Sequence, residues 1–506
     1  MQLRLKPRAC ASGTARGRGK EFMDQRAALH VLTVGWDQEL ILGLCDRIAA
    51  KSNHSFSHLL HPMCDLETYG PRLNGNHIHW FFDDKRMPLP SVNQELLASL
   101  ERKGVPSIHN MILSDRVASK LRYEEGLAYA SFIAERMISV FQEVRPSVII
   151  GGFDGLHGSM ALAVAKRVNI PWYALRFSVL PPGLAGFCES LSPASTISLR
   201  APAADALRQL AENALRDFEA DKVKAHAPSS PAFLNPAYIV RRIPSQLRAL
   251  VGAWRRGWSR QYNKYTDARI TYSVVAMLRE ALRFRRNAMQ LPRHWFIDKP
   301  PAAPFVFFGL HFQPESSIDV CAHFFSDQVR VIELISRSIP PTHKLLVKLH
   351  KSAAAHYSRS QLAEFTKFPG VQLVSPHAYT RELIRKASVV FSIQGTIGLE
   401  AALLGKPVVM FADSPTKVFP NVSTIGRLPE FPELVRKKLT ESAPERAQTV
   451  DAFMTYLAPF CRASLNDWTC LPTDAEIGGY VELFDLLGAF LLQRSWADVG
   501  SRSVGS

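Results

Sequence analysis

Cysteines are few in this sequence, and their spacing does not indicate disulfide bonds. The 506 residues include seven cysteines without a Cys-x-x-Cys pair, in a chain too long to need disulfides for stability. The cysteines are spread along the whole chain: Cys10, Cys45, Cys64, Cys188, Cys321, Cys461 and Cys470. This pattern excludes a disulfide-built secreted domain and predicts a reduced, cytoplasmic protein.

Long apolar stretches and nucleic-acid motifs are also missing. No segment reaches the ~18 apolar residues that a membrane-spanning helix requires, and the best candidate, YVELFDLLGAFLL, carries Glu482 and Asp485. Residues 1–22 are basic without a following apolar segment, so we expect a disordered tail ahead of a true start at Met23, and no secretory signal. Because RNP, KH and helix-turn-helix motifs are absent, no nucleic-acid partner is expected.

The sequence does contain a strong and localised positive charge. Apolar residues make up 47% of the chain and charged residues 21%, which at this length predicts at least two cores. Residues 1–22 hold six basic residues and one acidic residue, and residues 241–293 hold thirteen basic and two acidic residues, which together account for the net charge of +16. The second segment interleaves arginine with tryptophan and tyrosine. Such a segment can bind anionic lipid headgroups, a polyanionic acceptor or nucleic acid phosphates. It can equally be a solvated helical insertion whose charges have no binding role.

Strands alternate with helices in two parts of the chain. In the first part, strands are predicted at Leu29–Val34, Val148–Ile150 and Trp172–Leu175, with a helix from about Ser159 to Val168 before the last of them. The same rhythm restarts at Pro304 with the apolar run PFVFFGL. Such spacing is typical of parallel, doubly wound sheets. The sequence therefore predicts an α/β fold of two Rossmann-like domains facing a cleft, without a Gly-x-Gly-x-x-Gly dinucleotide motif.

The stretch FSIQGTIGLEAALLGKPVVMF, residues 391–411, joins two apolar strands through a short helix. A strand followed by Gly395 and Thr396 brings a helix N-terminus to the carboxyl edge of a parallel sheet, where free N–H groups favour a phosphate. Glu400 lies one turn after Thr396 on the same face, so its carboxylate can take the two hydroxyls of a ribose. On these residues alone, an ordinary strand-to-helix turn with a capping threonine remains the alternative.

Two groups of histidines are candidates for chemistry. His311 follows a buried strand and precedes Gln313 and Glu315, so it can orient a ligand at the cleft or simply cap a loop. The stretch HSFSHLLHPMC places three histidines and a cysteine at near-helical spacing. Because Pro62 breaks the helix and no paired cysteines follow, we favour a chance arrangement over zinc binding and expect no metal site.

Three stretches together resemble the capsule polysaccharide biosynthesis family: VIIGGFDGLHGSMALAVAKRVNIPWYAL, FVFFGLHFQPESS and GTIGLEAALLGKPVVMF. This family consists of GT-B-type glycosyltransferases and includes Kdo transferases that use a CMP-activated sugar. The similarity spans about residues 29–190 and 304–435. It implies a GT-B-like fold, a glycosyltransferase activity without cofactor, and independence from metals, with which the lack of an Asp-x-Asp set agrees.

The resemblance also implies roles for individual residues. In the C-terminal half it places the phosphate near Gln394, Gly395 and Thr396 and the ribose on Glu400. His350 aligns with the histidine of the family's His-Pro motif, although Lys351 follows it here, and Lys348 and His350 still offer donors to a phosphate.

For the transfer step, the resemblance makes Asp154 of the GGFDG stretch a candidate base or nucleophile. Related enzymes keep an acidic pair before the glycine, whereas this chain has one acid. His311 is the second candidate catalytic residue, and Gln313 and Glu315 are candidates for substrate binding.

These expectations combine into one predicted organisation. The chain divides into a disordered basic tail (1–22), an N-terminal Rossmann-like acceptor domain (23–200), a basic helical insertion (201–300), a C-terminal Rossmann-like nucleotide-sugar domain (301–450) and C-terminal helices (451–506). The predicted function is transfer of a sugar from a nucleotide-activated donor, CMP-Kdo being one option, to a surface polysaccharide or a lipid-linked acceptor. The basic insertion would dock a cytoplasmic enzyme at the anionic inner membrane face. Two alternatives stay open: a nucleotide-sugar epimerase of the same fold and a non-enzymatic binder of anionic polymers.

Overall fold

The computed structural model describes residues 28–35, 39–60, 77–81, 91–223, 292–313, 315–350, 357–463 and 472–502, together with residue 89 and a few positions from 282 to 290. Several sequence-based expectations concern residues outside these ranges. They include the basic tail, most of the basic segment 241–293, the histidine and cysteine of the HPMC stretch, and Lys351.

The N-terminal sheet has eight strands around a parallel centre. Its order is β15-β6-β5-β4-β1-β2-β3, with β7 paired to β6, and the five strands from β5 to β3 run parallel. The strands are β1 His30–Val34, β2 Ser55–Leu60, β3 His77–Trp80, β4 Val148–Gly151, β5 Trp172–Phe177, β6 Leu184–Cys188, β7 Thr196–Ile197 and, from the far end of the chain, β15 Cys461–Arg462. The predicted strands at residues 29–34, 148–150 and 172–175 are confirmed within two residues at each end.

The C-terminal sheet has seven strands, and all of its pairings are parallel. The order is β14-β13-β12-β9-β10-β11-β8. The strands are β8 Phe296–Ile297, β9 Phe305–Gly309, β10 Lys344–Lys348, β11 Val371–Val374, β12 Val390–Ser392, β13 Val408–Met410 and β14 Val422–Thr424. All five residues of β9 are buried, as expected for a central strand that helices cover on both faces. The α/β fold with two Rossmann-like domains is thus as predicted.

The helices cover both sheets. They are α1 Glu39–Lys51, α2 Gln94–Leu100, α3 Ile108–Leu113, α4 Tyr123–Val144, α5 Gly155–Val168, α6 Ala204–Glu219, α7 Ser316–Asp319, α8 Gln328–Ser338, α9 Arg359–Thr366, α10 Thr380–Lys386, α11 Thr396–Leu403, α12 Phe431–Leu439, α13 Arg446–Leu457 and α14 Asp474–Arg502. None of the helices in the described ranges is long and apolar enough to cross a membrane.

Helix α5 begins four residues earlier than the pattern predicts. Its start is fixed by Asp115, whose carboxylate accepts a hydrogen bond from the Leu156 N–H at 2.9 Å. Gly155 has φ +58°, and a Cβ there would lie 2.6 Å from Asp115 Oδ2, so only glycine fits between the loop and this carboxylate. The prediction of about Ser159 was wrong because the capping group comes from a distant part of the chain.

Two helices pack on the domain at the other end of the chain. Helix α6 follows the N-terminal sheet but packs against α13, and its Leu215 and Phe218 belong to a core shared with β9 and β12. Helix α14 follows the C-terminal sheet but packs against α1, and its Tyr480 and Leu483 lie in a core of the N-terminal sheet. The segments predicted as an insertion and as C-terminal helices therefore each supply part of a core.

Candidate functional site

The candidate site lies where the strand order reverses in the C-terminal sheet. From β9 the chain proceeds to β10 and β11 on one side and then returns to β12 on the other side. At such a reversal the loops after the two central strands diverge and leave a crevice at the carboxyl edge. The loop after β9 carries His311, and the loop after β12 carries Gln394 and Gly395. The N-terminal sheet reverses in the same way between β1 and β4, and the loop after β4 carries Asp154.

The turn at Gly395 has a conformation that suits glycine alone. Its φ of +90° and ψ of −163° fall in a region that other residues avoid, and a Cβ there would lie 3.2 Å from Cε1 of His311. The main-chain N–H of Gln394 points to Nε2 of His311 at 3.5 Å. Gly395 is exposed and directly precedes α11, so the start of that helix opens to solvent beside the histidine.

Glu400 and Thr396 share one face of α11, as their spacing predicts. The hydroxyl of Thr396 and the positive charge of Arg381 both act on the Glu400 carboxyl. Burial raises the pKa of the Glu400 carboxyl, while Arg381 and Thr396 oppose that shift by stabilising the ionised form. The carboxylate therefore lies one turn behind the open helix start and is half-buried.

The Gln394 side chain is buried and bonded to the neighbouring loop. It is 3% exposed, and its amide donates to the main-chain oxygen of Asp413 at 2.6 Å. The Ser392 hydroxyl donates to the main-chain oxygen of Gln394 at 2.7 Å. These bonds tie the loop after β12 to the loop after β13, so the side chain fixes the turn and only the main chain of Gln394 faces the crevice.

His311, His350 and Lys348 form a group of basic side chains beside this turn. Burial, with a further contribution from His350, lowers the pKa of His311 to about 4. Burial and the charge of Lys348 lower the pKa of His350 as well. Lys348 is 8% exposed, and its ammonium donates to the main-chain oxygen of Pro376 at 3.1 Å. At neutral pH both imidazoles are uncharged, so each can donate one N–H to a ligand, while Lys348 supplies the positive charge.

The loop after β9 is held rigidly by a network around Gln313. The Gln313 amide donates to Asp319 Oδ1 at 2.9 Å and to the main-chain oxygen of Ser326 at 2.9 Å. Gln328 donates to Gln313 Oε1 at 2.7 Å and also accepts from the His311 N–H at 2.8 Å. Gln313 thereby supports the loop of His311, and its role in substrate binding stays a prediction.

Acidic and basic groups of the two domains meet across the cleft. Asp154 of the N-terminal domain accepts a hydrogen bond from Arg116 at 2.9 Å, with 59% of its side chain exposed. Glu315 of the C-terminal domain lies close enough for its carboxyl to interact with both Arg116 and Asp154. Partial burial raises the pKa of this carboxyl most, and the charges of Asp319 and Asp154 raise it further. Ser317 and Arg116 act in the opposite direction and lower it. Glu315 nevertheless remains accessible to solvent.

The contact between the domains extends beyond these charges. Val320, which follows α7, is 4% exposed and packs in the core of the N-terminal domain. Arg176 of β5 donates to Tyr456 Oη of α13 at 3.2 Å, and Ser192 donates to Asp413 Oδ2 at 3.4 Å. The two carboxyl edges are therefore joined at several points around the cleft.

Two arginines of the site were not found from the sequence. Arg116 reaches Asp154 from a loop 38 residues earlier, and nothing in its local pattern marks it. Arg381 lies in the first turn of α10, where a positive charge opposes the helix dipole. That unfavourable placement was a signal that another interaction holds the residue. Among the described residues, no cluster of three or more histidine, cysteine or acidic side chains is arranged to hold a metal ion.

Comparison with known proteins gives similarity at the level of structure alone. No protein-family model matches the sequence, and neither does any curated protein. Solved structures with similarity include KpsC β-Kdo 2,4 transferase of Thermosulfurimonas dismutans, with 13% identity and a TM-score of 0.34 over 61% of this chain and 87% of that one. The KpsC β-Kdo 2,7 transferase gives 12% identity and a TM-score of 0.32 over 69% and 89%. UDP-GlcNAc 2-epimerase of Methanocaldococcus jannaschii gives 11% and 0.26 over 84% and 96%.

Similarities this weak carry no argument about function. The class of the protein follows from its own geometry: two Rossmann-like sheets whose carboxyl edges face one cleft, which is the GT-B-like arrangement.

Proposed function

We propose that this protein is a metal-independent glycosyltransferase that moves a sugar from a nucleotide-activated donor to an acceptor hydroxyl. One observation carries the proposal. The C-terminal domain carries the Gly395 turn and Glu400, the N-terminal domain carries Asp154, and the charge of Asp154 acts on the Glu315 carboxyl of the C-terminal domain. A nucleotide held by one domain thereby presents its sugar to carboxylates at the domain boundary.

The C-terminal domain supplies a place for the nucleotide. The phosphate would lie at the start of α11, where Gly395 permits close approach and the main-chain N–H groups point outward. His350 and Lys348 would add a hydrogen-bond donor and a positive charge, and Glu400 would accept the ribose hydroxyls. These groups stabilise the negative charge that builds on the phosphate as its bond to the anomeric carbon breaks.

The carboxylates at the boundary supply the second half of the reaction. Asp154 can take the proton of the acceptor hydroxyl or attack the anomeric carbon, and Glu315 is a second candidate base. The raised pKa of Glu315 makes it a better proton acceptor than an ordinary glutamate, whereas Asp154 is paired with Arg116. His311, which lies beside the Gly395 turn, would orient the donor.

The finer identity of the substrates comes from the sequence resemblance. It favours CMP-Kdo as donor and a capsular polysaccharide or lipid-linked saccharide as acceptor, with the enzyme at the cytoplasmic membrane face. A nucleotide-sugar epimerase is the second candidate, because the carboxyls of Asp154 and Glu315 interact at the domain boundary and an epimerase needs acidic groups around one sugar.

A thermal-shift panel tests the nucleotide site first. CMP, UDP, GDP and dTDP are each added to the full chain, and a nucleotide that binds the folded state will raise its melting temperature. The matched variant Glu400→Gln should lose most of this shift. If no nucleotide raises the melting temperature, the proposal fails.

A product assay then separates the two enzymatic candidates. The activated sugar of the nucleotide that binds is incubated with the protein, with and without a saccharide acceptor. Release of nucleotide that depends on acceptor indicates transfer, whereas an inverted sugar that keeps its nucleotide indicates epimerisation.

A further inference from the structure

Asp115 is a buried acid whose carboxylate bonds to two separate segments of the N-terminal domain. It is 9% exposed and lies in the loop after α3. Oδ1 accepts hydrogen bonds from the main-chain N–H groups of Val117 and Ala118, each at 2.8 Å, and Oδ2 accepts one from that of Leu156 at 2.9 Å. Three N–H donors offset the cost of burying the carboxylate. Asp115 therefore joins the loop after α3 to the first turn of α5.

The bond to Leu156 is one that another aspartate would ordinarily make. Asp154 occupies the N-cap position of α5, where an aspartate side chain usually accepts a hydrogen bond from the N–H of the second or third helical residue. The Asp154 side chain makes no capping bond here. Leu156 is the second residue of the helix, and its N–H is bonded to Asp115. Asp115 thus caps α5 in place of Asp154.

Close packing at Gly155 explains why the two carboxylates do not both cap the helix. A Cβ on Gly155 would lie 2.6 Å from Asp115 Oδ2, so this oxygen lies against the start of the helix. A second carboxylate at the same place would also bring two like charges together. Asp154 instead accepts a hydrogen bond from Arg116 at 2.9 Å, and 59% of its side chain is exposed. With Asp115 in place, the Asp154 carboxylate is directed to Arg116 and not to the helix.

Asp115 fixes the main chain beside both members of this pair. Arg116 directly follows Asp115 and directly precedes the two N–H groups that Oδ1 holds. Asp154 lies two residues before Leu156, whose N–H is held by Oδ2. The loop of Asp154 follows β4, where the strand order of the N-terminal sheet reverses. One buried carboxylate therefore determines where the Arg116–Asp154 pair lies at the carboxyl edge of that sheet.

We propose that Asp115 is a positioning residue: by capping α5 itself, it keeps the Asp154 carboxylate beside Arg116, where the acceptor hydroxyl is to react. The proposal deepens the function proposed above, and its catalytic part rests on that function. Its structural part depends on no substrate. If Asp115 no longer reaches Leu156, the Asp154 side chain should turn inward and cap the helix.

The stability of matched variants tests this exchange of caps. Asparagine caps a helix about as well as aspartate and alanine does not, so the difference between Asp154→Asn and Asp154→Ala measures whether residue 154 caps α5. Both variants also alter the pair with Arg116. Asp115→Ser supplies the second background, because its hydroxyl can accept from the N–H groups of the local turn but is too short to reach Leu156. Urea unfolding of the full chain is measured in both backgrounds.

We expect Asp154→Asn and Asp154→Ala to unfold at the same urea concentration when Asp115 is present. In the Asp115→Ser background, the alanine variant should have an unfolding equilibrium constant about fivefold larger than the asparagine variant. The same difference in both backgrounds, whether fivefold or none, would overturn the proposal. If Asp115→Ser does not fold, Asp115→Asn replaces it, because its single oxygen satisfies the two N–H groups of the turn and its amide nitrogen cannot accept from Leu156.

Activity separates a positioning role from a loss of stability. In the acceptor-dependent release of nucleotide, Asp115→Ser should lose about 100-fold in kcat, because a small misplacement of a reacting group is sufficient for such a loss. Nucleotides should still raise the melting temperature of this variant, because they bind the other domain. Asn93→Ala is the matched control, since Asn93 caps α2 of the same domain by accepting from the Leu96 N–H at 3.0 Å. This control should lose stability and keep the wild-type kcat.

A wild-type kcat in folded Asp115→Ser, or an equal loss in Asn93→Ala, would overturn the positioning role. A wild type that binds no nucleotide and transfers no sugar refutes the proposed function, which is a separate outcome. The urea comparison then decides whether Asp115 takes the capping position from Asp154, because that measurement needs no substrate.

Discussion

Replacing Gly395 by alanine should destabilise the C-terminal domain and close its crevice. The φ of +90° and ψ of −163° place the residue in a region that costs a non-glycine residue about 1 to 3 kcal/mol. The new methyl group would also lie 3.2 Å from Cε1 of His311. That ring cannot move freely, because Gln328 holds the His311 main chain by hydrogen bonds at 2.8 and 3.1 Å. We therefore expect a loss of about 2 kcal/mol in the free energy of unfolding.

Two other glycines provide controls for this substitution. Gly35 has φ +73° with nothing within 4 Å of its missing Cβ, so alanine there introduces backbone strain without crowding. Gly426 has an ordinary φ and equally open surroundings, so alanine there introduces neither. Urea unfolding followed by tryptophan fluorescence should rank the losses as Gly395, then Gly35, then Gly426 with almost none. Nucleotide binding should fall in the Gly395 variant alone. Wild-type stability of Gly395→Ala would refute the account of this turn.

The remaining predictions test other parts of the molecule. Glu400→Gln should weaken nucleotide binding about tenfold while leaving the melting temperature of the unliganded protein near wild type, as calorimetry and thermal unfolding would show. Activity that requires ionised Glu315 should fall as pH drops through its raised pKa, and Glu315→Gln should remove that limb of the rate profile. Burial and His79 lower the pKa of His58 to about 4, so the unfolded chain binds one more proton than the folded chain between pH 6.5 and 4. The free energy of unfolding should therefore decrease as the pH is lowered from 6.5 to 4. His58→Gln should make the urea midpoint less dependent on pH across this window. Residues 241–293 should bind anionic but not neutral vesicles, and salt should abolish co-sedimentation.

The sequence predicts the sheets and the Gly395 turn because both depend on local pattern. Apolar runs in the strands are buried on both faces, and the four-residue spacing of Thr396 and Glu400 places them on one helix face whatever the surroundings. The helix dipole and the glycine conformation likewise arise within a few residues. Such features can be found without knowledge of tertiary contacts.

The remaining parts of the site depend on contacts between distant segments. Asp115 fixes the start of α5 from a position 41 residues earlier, and Arg381 reaches a segment 163 residues away. A single sequence does not show which distant segment each of these residues reaches. The direction of the Gln394 side chain could not be predicted for a related reason, because it is set by the main-chain oxygen of Asp413 in the neighbouring loop.

The exchange of helices between the domains bears on how the cleft can work. Since α6 packs in the core of the C-terminal sheet and α14 in that of the N-terminal sheet, the chain crosses between the domains at two places. Each crossing leads to a helix that is packed in the core of the other domain. Separating that helix from the core would expose apolar side chains to water. Movement between the domains must therefore bend the connecting segments while both cores stay packed. The charge interactions of Glu315 with Arg116 and Asp154 are between polar groups at the surface of this interface, and these groups can separate at much lower cost. Opening of the cleft would thus break the polar contacts around the reacting groups first, which is where a substrate must enter.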